Sequence, residues 1–180
     1  MNEVLKTIAR RYSCRDYKGT ALTKEQIGFL AEAALAAPSA MNNQPWHISI
    51  ITDKKFIDEM DIEGMKLLAA DKDKSGYERI MSLGGKIFYN APCMVMVSSK
   101  GADMDCGILV QNVALAADSL GLGNLICWMA CIPLNGPNGE EYKKRMFFPP
   151  AYNFAMAVLV GEAASTKEPH PLDMSKISYV

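Results

Sequence analysis

Residues Arg10-Arg-Tyr-Ser-Cys-Arg-Asp-Tyr17 set three guanidinium groups and a hydroxyl close together. Arg11, Ser13 and Arg15 alternate, so an extended backbone projects all three to one side. Guanidinium forks match phosphate oxygens, and a serine hydroxyl or backbone N–H completes such a cradle. The same run also fits a solvated basic helix end, where arginine complements the helix dipole. A second run, Ala37-Pro-Ser-Ala-Met-Asn-Asn-Gln-Pro-Trp46, carries amides able to bond the polar edge of a ligand. Pro38 and Pro45 stiffen it, although an ordinary capped turn has a similar composition.

These two runs need elements to hold them. Asn2 to Arg10 reads as a short helix with Val4, Leu5 and Ile8 on one stripe. Thr23 to Ala37 is helical: Thr23 and Gln26 form a capping box, Ile27, Leu30, Ala31, Ala34 and Leu35 keep helical spacing, and Pro38 stops it. Trp46 to Thr52 reads as a strand. Lys54 to Asp71 and Tyr77 to Tyr89 read as helices. Ala91 to Ser98 is an apolar strand whose Met94 to Val97 belongs to the core. Asp105 to Leu120 is a buried helix ended by a glycine cap at Gly121. Asn124 to Ile132 and Phe154 to Val160 read as strands, and 161–180, with Pro169 and Pro171, as an extended tail. The pattern predicts one α+β domain over 1–180, with helices packed on a modest sheet.

Composition narrows the function. In 180 residues, 19 Lys and Arg oppose 20 Asp and Glu, and the net charge of −1 argues against a nucleic-acid or anionic-membrane binder. Residues 1–18 still hold Lys6, Arg10, Arg11, Arg15 and Lys18 against Glu3 and Asp16, a basic patch sized for one phosphate monoester. The five cysteines are an odd number at irregular spacings, which predicts structural, reduced thiols and a reducing, cytoplasmic setting. On a strand, Cys127 and Cys131 would share one face. No metal-binding run, signal peptide or membrane-length apolar stretch is expected. There is no GxGxxG after a strand, no GxxxxGK[ST] run and no GxSxG elbow.

Together, RRxSxRxY near residue 10, a capped helix, and PSxxNxQPW before a strand resemble the nitroreductase family of flavin enzymes. The resemblance continues through Phe88-Tyr-Asn-Ala-Pro92, Asp105-Cys-Gly-Ile-Leu-Val-Gln-Asn-Val-Ala-Leu-Ala-Ala117 and Leu120-Gly-Leu-Gly123, over nearly the whole chain. It implies a central, mostly antiparallel sheet packed by helices and an intertwined homodimer that binds FMN in two equivalent sites. It implies that Arg11, Tyr12 and Ser13 lie at the phosphate end and Arg15 at the pyrimidine edge of the flavin. Pro38, Ser39, Ala40, Asn42 and Gln44 would come from the other subunit, with Met41 bordering the substrate pocket. Ile126, Cys127, Trp128 and Met129 would pack on the far side of the ring. The family's basic residue near the chain end has no direct counterpart here, so His170 or Lys167 would take that place, while Lys86 is the nearest cation for a ring-edge contact. His47 reads as packing or solvent-exposed rather than catalytic.

The resemblance further implies NADH or NADPH as donor and nitroaromatics, quinones or other small planar compounds as acceptors, in a ping-pong cycle. No protein nucleophile or essential acid is expected, because the cofactor carries the electron chemistry. Reductive dehalogenation, and storage or sensing of FMN without turnover, are the alternative readings.

Overall fold

β2, Cys93–Ser99, is buried along its whole length, and this explains its place inside the sheet. In a computed structural model describing residues 1–180, it lies between β1, Trp46–Ile51, and β4, Asn153–Gly161. β3, Gly123–Ile126, closes the order β1-β2-β4-β3, and every neighbouring pair is antiparallel.

Alternation along β2 builds two cores. Met94 and Met96 point to one side, with Ala157 and Leu159 of β4 and Leu125 of β3. That side is covered by α3, Lys54–Ala70, through Phe56, Ile57 and Met60, and by α4, Ser75–Ser82, through Ile80. Tyr142 of α7, Gly139–Arg145, completes it. Val95, Val97, Val158 and Val160 point to the other side. There α2, Lys24–Leu35, and α5, Asp103–Ser119, pack through Leu30, Ala34, Leu109 and Val113. The result is an α+β fold with a helical layer on each face of the sheet.

The predicted caps are present. Thr23 and Gln26 exchange hydrogen bonds in a capping box at α2. Gly121 follows α5 with φ 74°, and the Leu122 and Gly121 N–H groups bond the Ala117 and Asp118 carbonyls, a Schellman closure. α1, Glu3–Arg10, starts on Asn2 as expected, but its stripe of Val4, Leu5 and Ile8 faces outward.

Two expected elements differ. The helix read as Tyr77 to Tyr89 ends at Ser82, because Gly84 and Gly85 (φ 102° and 71°) turn the chain out of helical geometry. The strand read as Asn124 to Ile132 stops at Ile126. The Cys127 N–H makes one more bond, to the Ala157 carbonyl. The chain then coils into a 3₁₀ turn, Trp128–Ala130, and the short α6, Cys131–Leu134. Cys127 and Cys131 therefore do not share a strand face. α7 carried no expectation.

Asp61 lies within α3 yet is only 4% exposed, and its Oδ1 accepts the Ile87 N–H at 2.8 Å. It pins the segment after α4 onto α3. Replacing Asp61 by alanine leaves that buried N–H unpaired and is expected to cost about 1–3 kcal/mol in urea unfolding. Burial raises the Asp61 carboxyl pKa, while the Ile87 and Phe88 N–H groups oppose the rise. A raised folded pKa means that stability from this group falls as pH climbs from about 3.9 through the folded value. Asp61→Asn, which does not titrate, is expected to gain on the parent over that window when both are unfolded at pH 4 and pH 7.

Candidate functional site

The arginine-rich run follows α1 as extended chain. Arg10 is already committed: its Nε donates to Asp118 Oδ2 at 2.6 Å, and its terminal nitrogen donates to the Asp118 carbonyl at 3.1 Å, near the end of α5. Arg11 has no acid or acceptor in the protein. Arg15 has no acid partner: it makes a long contact to the Ser13 carbonyl, 3.4 Å, and lies beside the Tyr89 hydroxyl. Two half-buried guanidinium groups thus flank Ser13 with donor capacity unspent.

β3 fixes this run. Ser13 bridges Asn124 in parallel, and the Cys14 N–H donates to the Asn124 carbonyl at 2.9 Å. The approach requires Gly123, since a Cβ there would lie 2.7 Å from Cys14 Sγ and 3.1 Å from Ala163 Cβ. On the other side runs the start of the tail. Tyr17 bridges Ala163, the Ala164 N–H donates to the Asp16 carbonyl, and the Tyr12 hydroxyl donates to the Ser165 carbonyl. Residues 162–165 are thereby laid alongside 12–18. Lys167 and His170 follow as exposed residues of that tail.

Arg15 lies close to Tyr89, to which the sequence assigned no role, and to Cys127, expected at the far side of the ring. Burial raises the Tyr89 phenol pKa, and the nearby Arg15 guanidinium pulls it back down. Cys127 is within electrostatic reach of Arg15, yet burial dominates and pushes its thiol up to about 11. Cys93 is pushed up to about 12, and Cys14, Cys106 and Cys131 are raised by burial too. All five thiols are free and stay protonated at neutral pH, as structural cysteines do. Tyr89 and Asn90 both have positive φ (50° and 65°), and an Asn in this region is a readable turn signal. Asp61 had a signal as well: an acid in the apolar stripe of Ile57, Met60 and Gly64.

The second run is an exposed loop with unusual backbone. Met41, Asn42 and Gln44 all have positive φ, at 51°, 55° and 46°. Each such residue costs about 1–3 kcal/mol, a strain that recurs in ligand-binding loops. Ser39 Oγ accepts the Gln44 N–H at 2.8 Å, and the Gln44 side-chain amide donates to Asn42 Oδ1 at 3.1 Å. Ala40 N–H reaches Asp105 Oδ1 of α5 at 3.4 Å. Pro38, Ala40 and Met41 stand exposed. No cavity among the five principal ones is lined by both this loop and the arginine-rich run.

Ile126 and Met129 are half-buried and Cys127 is buried, whereas Trp128 is 60% exposed with its ring edge-on to Phe154 at 5.5 Å. His47 is half-buried on β1, opposite Ser98. Lys86 is exposed just beyond Gly85.

The fold and these groups define an α+β protein in which two arginines with unspent donors flank Ser13 and a polar loop carries three residues of positive φ. The nitroreductase family model matches residues 8–162. This chain belongs to the nitroreductase family. It is 47% identical, with a TM-score of 0.97, to a crystal structure of a nitroreductase with bound FMN from Desulfitobacterium hafniense, covering 100% of this chain and 99% of that one. It is 30% identical over 142 residues to a protein of Archaeoglobus fulgidus named by inference as an NADH dehydrogenase/NAD(P)H nitroreductase, covering 74% of this chain and 70% of that protein. An FMN reductase (NAD(P)H) of Bacillus subtilis is 26% identical over 89% of this chain, which spans 65% of that enzyme.

Proposed function

We propose that this protein is an FMN-dependent oxidoreductase that passes electrons from NADH or NADPH to nitroaromatics, quinones or similar small planar acceptors. The observation that carries the reading is the division of labour among three arginines. Arg10 is spent on Asp118, while Arg11 and Arg15 keep free donors on either side of Ser13. That donor set suits a phosphate at one end and an electron-rich ring edge at the other.

Arg11, Tyr12 and Ser13 hold the phosphate end, and the tail laid beside them brings Lys167 or His170 to the same end. Arg15 faces the pyrimidine edge, where a fixed cation in a poorly solvated site favours negative charge. Bound FMN supplies the electron chemistry itself. Ile126, Cys127, Trp128 and Met129 cover one side of the ring and exclude water from it. The protonated thiol of Cys127 gives no competing nucleophile.

A homodimer fits the same observations. Val4, Leu5 and Ile8 are 64%, 52% and 50% exposed in the single chain, and Leu172, Met174 and Ile177 of the tail are also exposed. A second copy covers such surface. It would also supply Pro38, Ser39, Ala40, Asn42 and Gln44 to a site that one chain leaves open, with Met41 at the acceptor. Donor and acceptor then use one pocket in turn, a ping-pong cycle, in a single domain over 1–180 suited to a reducing cytoplasm.

The test is an absorption spectrum and an FMN titration of the purified protein, followed by anaerobic mixing with NADH and NADPH. Stoichiometric uptake and bleaching of the flavin bands are expected. A protein that takes up no FMN overturns the reading, and one that binds FMN but is bleached by neither donor is a flavin-binding protein instead.

A further inference from the structure

A cavity of about 610 Å³ lies between α3 and the α4 region, well within the size of small-molecule pockets. Ile62, Met65 and Ala69 of α3 give it an apolar wall, and Tyr77 of α4 faces them. Two acids and two lysines line it as well, and they are not equivalent. Asp58 is ion-paired with Lys54 one turn away on α3. Asp61 is buried and spends its Oδ1 on the Ile87 N–H. Lys66 and Lys86 have neither an ion-pair partner nor an acceptor. Lys86 is near enough to favour the ionised form of Asp61, but it is not bonded to it. The acids of this cavity are thus engaged and its cations are not.

Lys86 ties this cavity to the proposed flavin site along the chain. Lys86 is three residues before Tyr89, whose hydroxyl is near Arg15. We infer that this cavity selects acceptors carrying an acidic group: an aromatic carboxylate whose ring lies on Ile62, Met65 and Ala69 and whose anion meets Lys66 and Lys86. A neutral acceptor gains the apolar contact alone. A cationic one meets two unpaired ammonium groups. The inference rests on the proposed function, since it names the class of acceptor for that site.

Benzoate and benzamide share shape and differ in charge, so they serve as probes. Each is titrated into the FMN-loaded protein as an inhibitor of turnover with menadione, a neutral quinone, and its binding is checked through the flavin absorption band. Benzoate is expected to bind more tightly, by roughly two- to fivefold for each lysine it engages. Lys66→Met and Lys86→Met each reduce that preference, and together they bring it close to parity. Rising salt reduces it as well. Lys144→Met on α7 controls for a change in overall charge and leaves the preference in place. Both target lysines are exposed, so the variants fold, which circular dichroism verifies. Benzamide binding as tightly as benzoate, or a preference unmoved by both substitutions, overturns the inference while the flavin reading stands. Absence of FMN uptake overturns the flavin reading instead, and calorimetry with the two probes on the purified protein then still decides whether the cavity prefers the anion.

Discussion

Replacing Arg15 by leucine lowers the two-electron midpoint potential of the FMN-loaded protein by roughly 40–90 mV. The figure follows from position and charge. Arg15 is half-buried, lacks an acid partner, and makes one long contact to the Ser13 carbonyl, so its charge is not cancelled locally. A unit charge about 4 Å from developing negative charge is worth about 4 kcal/mol at an effective dielectric of 20, and about half that with greater solvent access. At about 30 mV per 1.4 kcal/mol for a two-electron couple, this gives the stated range. Losing the cation disfavours the electron-rich form, so the potential falls. Arg15→Lys separates charge from shape: the potential returns most of the way, while the planar fork that orients the ring edge is lost. Dye equilibration at saturating FMN measures both variants. An unchanged potential in Arg15→Leu, with FMN still bound, would remove Arg15 from the ring.

Much of the fold was legible because local and tertiary signals agreed. The capping box at Thr23 and Gln26, the glycine stop at Gly121 and the apolar run of β2 each state one structure. The segment after β3 did not. Leu125-Ile-Cys-Trp-Met-Ala-Cys-Ile-Pro-Leu134 is apolar throughout, and a run buried on all sides has no period to separate strand from helix. The chain follows β4 to Cys127 and then coils. The candidate site was readable as composition but not as commitment. Three arginines looked alike until Asp118, 108 residues from Arg10, took one of them. Likewise, Met41 and Gln44 do not announce positive φ by residue type, because the loop's own hydrogen bonds and α5 impose it. α1 shows the limit from the other side. Its apolar stripe was visible, but nothing in one chain covers it.

Gly123→Ala is expected to destabilise the protein by about 1–3 kcal/mol, the usual range for overpacking a buried contact, and to weaken FMN binding with it. The added methyl would meet Cys14 Sγ at 2.7 Å, Cys14 Cβ at 3.0 Å and Ala163 Cβ at 3.1 Å. These neighbours have little room to yield. Cys14 is 1% exposed, its Sγ contacts the Asp16 carbonyl at 3.2 Å, and its N–H is tied to Asn124 on the same strand as the glycine. The chain therefore relieves the clash by moving the arginine-rich run off β3. Ser13 and Arg15 flank Cys14 and move with it, which couples a packing change to the proposed cradle. Cys14→Ala removes the closest atom, so the double variant recovers part of both losses, and a double-mutant cycle in urea unfolding shows a coupling of about 0.5–3 kcal/mol. Purely additive effects would mean that the strand accommodates the methyl elsewhere. A stability loss with FMN affinity intact would mean that Ser13 and Arg15 are not held to the cofactor by this crossing, and the arginine-rich run would then need a second anchor to account for its geometry.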